Sequence, residues 1–162
     1  MEPVPLPADL LALMERGVSV IVGSRDAQLR PSVVRAVGSR IEGGGSAVTV
    51  YLSRPQSRQV LQDIAANGHV AAVFSEPSTH KTVQLKATRA ALRTADAGDR
   101  PHLDRYLASM EHEIELVGHA RELTRAMLAC ELEEVVAVTF RPEHAFDQTP
   151  GPRAGAPLGG GR

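Results

Sequence analysis

Three short apolar segments follow one another between residues 18 and 53, with no room for a helix between them. VSVIVGSRD begins at Val18, PSVVRAVGSRIE begins at Pro31, and AVTVYLS covers 47–53. The intervening DAQLRP and GGGS stretches are typical of turns. Because a parallel pair of strands needs a crossover of about a dozen residues or more, these connections predict an antiparallel sheet.

A helix is predicted to follow the third of these strands, over residues 57–67. Val60, Leu61 and Ile64 recur at helical spacing and share one face, and Gly68 ends the segment. The apolar segment HVAAVFSE comes directly afterwards. The helix therefore crosses from the third strand to the fourth.

Two further strands and two helical segments complete the pattern. TVQLKATRAALRTA and EVVAVTFRPEHAF are predicted strands, which brings the number to six. Asp9 is predicted to cap one helix and Gly17 to end it, and residues 97–129 are predicted to be helical with a break near Gly118. These elements predict a mainly β protein with α-helices (α+β), whose six strands form a closed or nearly closed antiparallel barrel.

Length and composition bound the domain organisation. The 162 residues suit one domain, predicted over 1–148, and the Gly/Pro-rich residues 149–162 are predicted to be a disordered tail. Cys130, the single cysteine, excludes an intrachain disulfide and is predicted to be a buried thiol within a helix. The N-terminus lacks the basic region of a secretory signal, so a cytoplasmic location is expected.

Charge and aromatic content limit the partners. The formal net charge of −1 gives no long-range attraction to nucleic acid or to acidic membranes. Aromatic residues make up 3% of the chain, too few for the stacking platforms of single-strand binders. His112 and His119 are seven residues apart and do not form H-E-x-x-H, so no metal site is predicted. We expect neither a nucleic-acid nor a membrane partner.

The start of the helix at 57–67 is the best candidate for a binding site. Ser57, Arg58 and Gln59 offer a hydroxyl, a guanidinium and an amide beside the free N–H groups of the first helical turn. These groups suit a phosphate ester, which accepts several hydrogen bonds and prefers an arginine partner. A solvated first turn with an arginine present by chance is the alternative.

In this order, and preceded by strands around Arg35, residues 47–76 resemble the phosphate-binding segment of the pyridoxamine 5'-phosphate oxidase-like, FMN-binding split barrels. The resemblance covers roughly residues 15–148 and implies a six-stranded antiparallel split β-barrel with flanking helices. In that family a Ser-Arg-Lys sequence opens the helix after the third strand. Ser57 and Arg58 match its first two residues, and Gln59 replaces the lysine.

The resemblance places residues of two other segments at the cofactor. Arg35 in PSVVR is one residue out of step with the family's Pro-x-x-Arg pattern, so either its side chain or backbone groups of 34–37 would bind the phosphate. Lys81 and Thr82 lie in THKTVQLKA, and Thr82 matches a polar residue that contacts the isoalloxazine or ribityl group. Strand alternation puts Thr82 and Gln84 on one face.

The resemblance implies an FMN-dependent oxidoreductase that acts on an unidentified small molecule. It also implies a homodimer with FMN between the subunits, and no residue is assigned as a catalytic acid, base or nucleophile. Two alternatives keep the fold: a reductase that uses deazaflavin F420, and a non-catalytic flavin- or haem-binding sensor or carrier. A genuine pyridoxamine 5'-phosphate oxidase is not expected, because the chain contains no tryptophan and its arginines 153 and 162 lie in the predicted tail.

Overall fold

The computed structural model describes residues 4–159, which form ten β-strands and four α-helices. The strands are β1 (Ser19–Arg25), β2 (Pro31–Arg35), β3 (Gly38–Glu42), β4 (Ala47–Ser53), β5 (Val70–Ser75), β6 (Thr82–Ala87), β7 (Ala91–Thr94), β8 (Val135–Phe140), β9 (His144–Asp147) and β10 (Ala156–Leu158). The helices are α1 (Ala8–Arg16), α2 (Arg58–Asn67), α3 (Arg100–Leu116) and α4 (Arg121–Met127).

The strands form two antiparallel sheets, so the described fold has ten strands where the sequence predicted six. One sheet has the order β10-β9-β6-β5-β1-β2 and the other has the order β3-β4-β8-β7. Three predicted strands each break in two, and the halves join different sheets: β2 and β3, β6 and β7, and β8 and β9. The successive pairings form a ring, β1 to β2/β3 to β4 to β8/β9 to β6/β7 to β5 and back to β1.

The breaks occur where the backbone changes its hydrogen-bond partner. The Ala36 N–H still donates to the Val20 carbonyl of β1, whereas the next N–H, of Val37, donates to the Tyr51 carbonyl of β4. The strand therefore turns from one sheet into the other within two residues. Strands that switch sheets in this way form the corners of orthogonally packed barrels.

The interior is filled by alternate residues of both sheets together with one face of α1 and one face of α2. Val20 and Val22 of β1 are fully buried, as are Val48 and Val50 of β4. Full burial of each such side chain contributes roughly 1.5–3 kcal/mol. The predicted apolar face of α2, which consists of Val60, Leu61 and Ile64, packs against this core.

The chain beyond residue 148 contradicts the prediction of a disordered tail as far as residue 159. β10 pairs with β9, so that Ala156 lies opposite Asp147 and Leu158 lies opposite Ala145. Asp147 anchors the connecting turn, since its Oδ1 accepts from the Thr149 N–H at 2.9 Å and its carbonyl accepts from the Gly155 N–H at 2.6 Å. A free edge of β9 therefore supplies the partner that the Gly/Pro-rich segment lacks in isolation. Residues 160–162 of the predicted tail, like residues 1–3, lie outside the described part of the chain.

The break that was predicted near Gly118, in the helical segment 97–129, is confirmed. α3 ends at Leu116, Gly118 has a φ of 93°, and α4 starts at Arg121. The prediction for Cys130 was wrong on both points. Because α4 ends at Met127, Cys130 lies outside the helix, and its side chain is only half-buried. Burial raises the pKa of the Cys130 thiol. Within residues 4–159, no helix is long and apolar enough to cross a bilayer.

Candidate functional site

The outer face of the six-stranded sheet carries side chains in cross-strand rows. Strand pairing aligns Arg35, Ile21, Val73, Gln84 and Phe146 in one row, from β2 across to β9. All five face away from the barrel interior, because the burial of the flanking residues alternates along each strand. The row therefore has an arginine at one end, an apolar centre, and an amide and an aromatic ring at the other end.

A second row runs parallel to the first, two residues along each strand. It contains Val33, Gly23, Ala71, Lys86 and His144. The two rows contribute most of the floor of an open cleft of about 490 Å³. That volume falls within the usual range for small-molecule sites.

Gly23 makes the centre of the floor flat. A Cβ added there would approach only the Ser32 carbonyl at 3.4 Å and a Val33 methyl at 3.8 Å, which are ordinary contacts. Glycine is therefore not required by packing at this position, but its missing side chain lets a planar group lie close to the backbone.

A row of hydroxyl groups runs beside the first row, on the side away from the second row. Ser19 accepts a hydrogen bond from Arg35 Nη1 at 2.8 Å, and the Ser75 and Thr82 hydroxyls lie 2.8 Å apart. Strand pairing places Ser19 opposite Ser75 and Ser75 opposite Thr82. The structure thus brings two predicted site residues, Arg35 and Thr82, onto the same sheet face.

The start of α2 is a separate feature. Ser57 is buried, and its Oγ has no hydrogen-bond partner among the described residues. Arg58 is exposed and forms no ion pair within residues 4–159. Gln59 is engaged within the helix, since its Nε2 donates to Asp63 Oδ1 at 2.9 Å. Asp63 also accepts from Ser32 Oγ at 2.6 Å, which ties α2 to β2.

Local sequence explains why α2 begins and ends where it does. A turn leads from β4 into the helix, with the Ser57 N–H donating to the Arg54 carbonyl at 3.3 Å. At the other end, Gly68 adopts the left-handed conformation with a φ of 74°, and its N–H donates to Ile64. Side chains larger than hydrogen rarely adopt this conformation, so Gly68 fixes the helix end.

Lys81 lies elsewhere, beside a second cavity of about 420 Å³. Its Nζ lies 3.0 Å from Asp9 Oδ2, and this contact lowers the pKa of the exposed Asp9 carboxyl. Asp147 and Arg153 line the same cavity. Lys81 therefore does not share the cleft on the outer face of the sheet.

The predicted site residues thus occupy three places, and no described hydrogen bond or ion pair joins one place to another. Arg35 and Thr82 lie on the sheet face, 57–59 form the start of α2, and Lys81 pairs with α1. Sequence reasoning missed the apolar floor of the cleft, in which Ile21 and Val73 take part. Alternation within VSVIVGSR was the available signal, because it separates Ile21 from the buried Val20 and Val22.

The cleft has the chemistry needed to hold a planar, partly polar ring. Its floor is apolar around Ile21, Gly23 and Val73, and the Gln84 amide and the Lys86 ammonium stand at one side. Apolar floors with a few convergent polar groups are typical of cofactor sites. The residues present therefore fit the isoalloxazine ring that the resemblance implies.

Comparisons with known proteins support the architecture. No protein-family model matches the chain, and no curated protein matches it. A candidate pyridoxamine 5'-phosphate oxidase from Lactobacillus delbrueckii superposes with a TM-score of 0.56 at 16% identity, over 87% of this chain and 93% of that one. Group A Streptococcus HupZ gives 0.56 at 14% identity, over 93% and 100%, and an F420 reductase gives 0.59 at 14% identity, over 86% and 98%. The chain therefore has the fold shared by the pyridoxamine 5'-phosphate oxidase-like proteins.

Proposed function

We propose that this protein is an FMN-binding flavoprotein, an oxidoreductase that acts on a small molecule. The observation that carries the proposal is the flat apolar floor of the sheet cleft, bordered by Arg35 and the Ser75 and Thr82 hydroxyls. When bound, the flavin supplies hydride chemistry. The chain's own residues bind and orient the ring, and they keep water from the face that lies on Ile21 and Val73.

The start of α2 is the proposed phosphate site. The buried Ser57 hydroxyl has no hydrogen-bond partner within residues 4–159, which costs roughly 1–3 kcal/mol and which a phosphate oxygen would relieve. Arg58 stands beside it without a carboxylate partner in the described chain. A helix N-terminus with an arginine favours a dianionic phosphate. Gln59 would contribute after exchanging its bond to Asp63.

Arg35, Thr82 and Lys81 complete the proposed cofactor set. Arg35 and Thr82 lie on the same sheet face as the cleft, next to residues that line it, and would contact the ring or the ribityl chain. Lys81 would have to leave Asp9, and the exposed pair it would break is worth at most about 1 kcal/mol.

A homodimer is proposed because the cleft is open on one side. Val33 is 68% exposed on the sheet face, and the apolar rows around it have no cover within the described chain. The apolar side of α3 packs inward through Leu103, Tyr106 and Met110, whereas Leu116 at its end is exposed. A second copy over the sheet would enclose a tricyclic ring. Light scattering of the FMN-loaded protein at the monomer mass of 17.3 kDa would exclude this arrangement.

The cofactor is tested first by the absorbance spectrum of the purified protein. An oxidised-flavin double band supports FMN, whereas a deazaflavin band or a Soret band would select one of the two alternatives that keep the fold. The F420 alternative draws support from the F420 reductase among the similar structures. We place the protein in the cytoplasm as part of the same proposal.

Arg58→Ala tests the phosphate site. Arg58 is exposed, so we expect the lower end of a charged hydrogen bond's contribution, about 1.5 kcal/mol or tenfold in FMN affinity. Arg100→Ala is a matched control, since Arg100 is an exposed arginine at the start of α3. Fluorescence titration of FMN measures both. Equal affinities for wild type and Arg58→Ala would remove Arg58 from the site.

A further inference from the structure

Four nitrogen-bearing side chains line the end of the sheet cleft that lies beyond the row of Arg35, and they form two pairs. Arg25 lies against the His69 ring, and Lys86 is the cross-strand neighbour of His144. Arg25 is four residues beyond Ile21 on β1, which is roughly 13 Å at the usual rise of a strand. This end is therefore distinct from the border formed by Arg35 and the hydroxyl row.

The four side chains make few hydrogen bonds and no ion pairs within the described chain. Arg25 contacts the Asp26 carbonyl at 3.2 Å and the His69 ring at 3.5 Å, and Lys86 lies over the Phe146 ring at 5.2 Å. No described carboxylate comes within 4 Å of either cation. Both cations therefore keep donors free for a ligand.

The backbone beneath them is fixed in place. Asn67 Nδ2 donates to the Arg25 carbonyl at 2.7 Å, and Asn67 Oδ1 accepts from the His69 N–H at 2.8 Å. Ser24 Oγ donates to the His69 carbonyl at 2.8 Å. Two of these bonds connect β1 to the end of α2 and to His69, and the third fixes His69 against Asn67, so Arg25 and His69 are held side by side before any ligand arrives.

Among the described residues that line the cleft, Glu143 is the only acidic one, and it is already engaged. Its Oε1 accepts from the Thr88 N–H at 3.1 Å and from Thr88 Oγ1 at 2.9 Å. The backbone hydrogen bond from Thr88 is the main reason why the pKa of Glu143 is lowered. Two cations thus face one committed carboxylate in a chain whose formal net charge is −1.

We propose that Arg25, His69, Lys86 and His144 form a binding site for an anionic oxygen group, a phosphate or a carboxylate, of a small molecule in the cleft. The separation from Arg35 leaves room for a planar ring between the two ends. The anion therefore belongs either to a substrate that lies on the cofactor or to the phosphate of the cofactor itself, which would then not lie at the start of α2. The second assignment rests on the proposed function, whereas the existence of the anion site does not.

Inorganic phosphate is the first probe, added to the protein without flavin. We expect saturable changes in the ring-proton NMR signals of His69 and His144. Arg25→Gln and Lys86→Gln should each weaken phosphate binding about fivefold, as loss of a solvent-exposed charge contact predicts, and the double variant more than about tenfold. Arg100→Gln removes a surface charge outside the cleft and should leave binding unchanged. Equal binding by wild type and double variant, or the absence of saturable binding, would overturn the proposal.

FMN-loaded protein then separates the two sources of the anion. Phosphate binding that persists with FMN bound, with unchanged FMN affinity in the double variant, assigns the site to a substrate. Loss of phosphate binding on FMN loading, together with weaker FMN binding by the double variant, assigns it to the cofactor. Failure of FMN to bind at all would refute the proposed function. The anion site would then be decided by the phosphate titration of the flavin-free protein alone. Thermal melting of each variant confirms that it folds.

Discussion

Asp99 sits at the centre of a buried hydrogen-bond network whose removal should destabilise the barrel measurably. Its Oδ1 accepts from the Tyr51 hydroxyl at 2.7 Å, and its two oxygens accept from Arg93 at 2.6 and 2.8 Å. Its Oδ2 also accepts from the Asp96 N–H at 2.9 Å. Tyr51 is fully buried and Asp99 is 1% exposed, so water replaces none of these bonds easily. The network joins β4, β7 and the start of α3.

The expected loss follows from the exposure of each partner. Asp99→Ala leaves the Tyr51 hydroxyl buried without an acceptor, which costs roughly 1–3 kcal/mol. The Arg93 side chain is 46% exposed and regains water, so its ion pair adds at most about 1 kcal/mol. The free energy of unfolding should fall by about 1–4 kcal/mol. Tyr51→Phe removes the hydroxyl itself, so no buried donor is left without an acceptor, and the variant should lose only about 1 kcal/mol.

Urea denaturation of the two single variants and the double variant measures the coupling. In the Tyr51→Phe background, Asp99→Ala should cost less by roughly 1–3 kcal/mol, because no buried hydroxyl is then orphaned. Strictly additive losses, or a loss below about 1 kcal/mol for Asp99→Ala alone, would refute this account of the network.

The same carboxylate predicts a pH dependence with a definite sign. Arg93 is the main cause that lowers the pKa of Asp99 below its ordinary value of 3.8. The unfolded chain therefore binds the proton first as the pH falls, and the stabilisation is present above the ordinary pKa and lost below it. The stability difference between wild type and Asp99→Asn should be constant from neutral pH down to about pH 5, and should shrink below about pH 4.

Three other changes have expected outcomes. Gly68→Ala should lower the free energy of unfolding by more than the roughly 1–2 kcal/mol of a left-handed residue, because the new Cβ would lie 2.6 Å from the Thr88 carbonyl. Gly44 also has a positive φ, of 64°, but an added Cβ there would have no neighbour within 4 Å, so Gly44→Ala should lose only the roughly 1–2 kcal/mol of the left-handed conformation in urea denaturation. Equal losses for the two variants would show that the contact with the Thr88 carbonyl contributes nothing. Gly23→Val should weaken FMN binding by tenfold or more, roughly, while changing thermal stability little, since its side chain would enter the cleft; unchanged FMN fluorescence titration would exclude a ring there. FMN-loaded protein supplied with pyridoxine 5'-phosphate and oxygen should form no pyridoxal phosphate, and turnover of about 1 per second or more would make it a genuine oxidase of that substrate.

Local patterns in the sequence determined the elements whose formation depends on neighbours along the chain. α2 occupies 58–67, within one residue of its prediction, because its apolar spacing and Gly68 are both local signals. The break at Gly118 was likewise predictable. The antiparallel arrangement followed from connections too short for a crossover.

Only the tertiary structure decided where the strands bend. Residues 36 and 37 bond to different strands, and nothing in their own sequence says which carbonyl each N–H will find. β10 is a similar case, because three residues among glycines and prolines become a strand only when β9 offers a free edge. Both outcomes depend on partners that lie far away in the chain.

The candidate site depends on the same long-range information. Ile21, Val73 and Gln84 come from three strands, and they meet in one row because the register of the β1–β5 and β5–β6 pairs aligns them. A shift of one residue in either pair would turn that strand's side chains to the other face of the sheet. The sequence by itself determined that Arg35 and Thr82 lie on strands. Their common face was decided by register, which the buried residues of the whole barrel fix together.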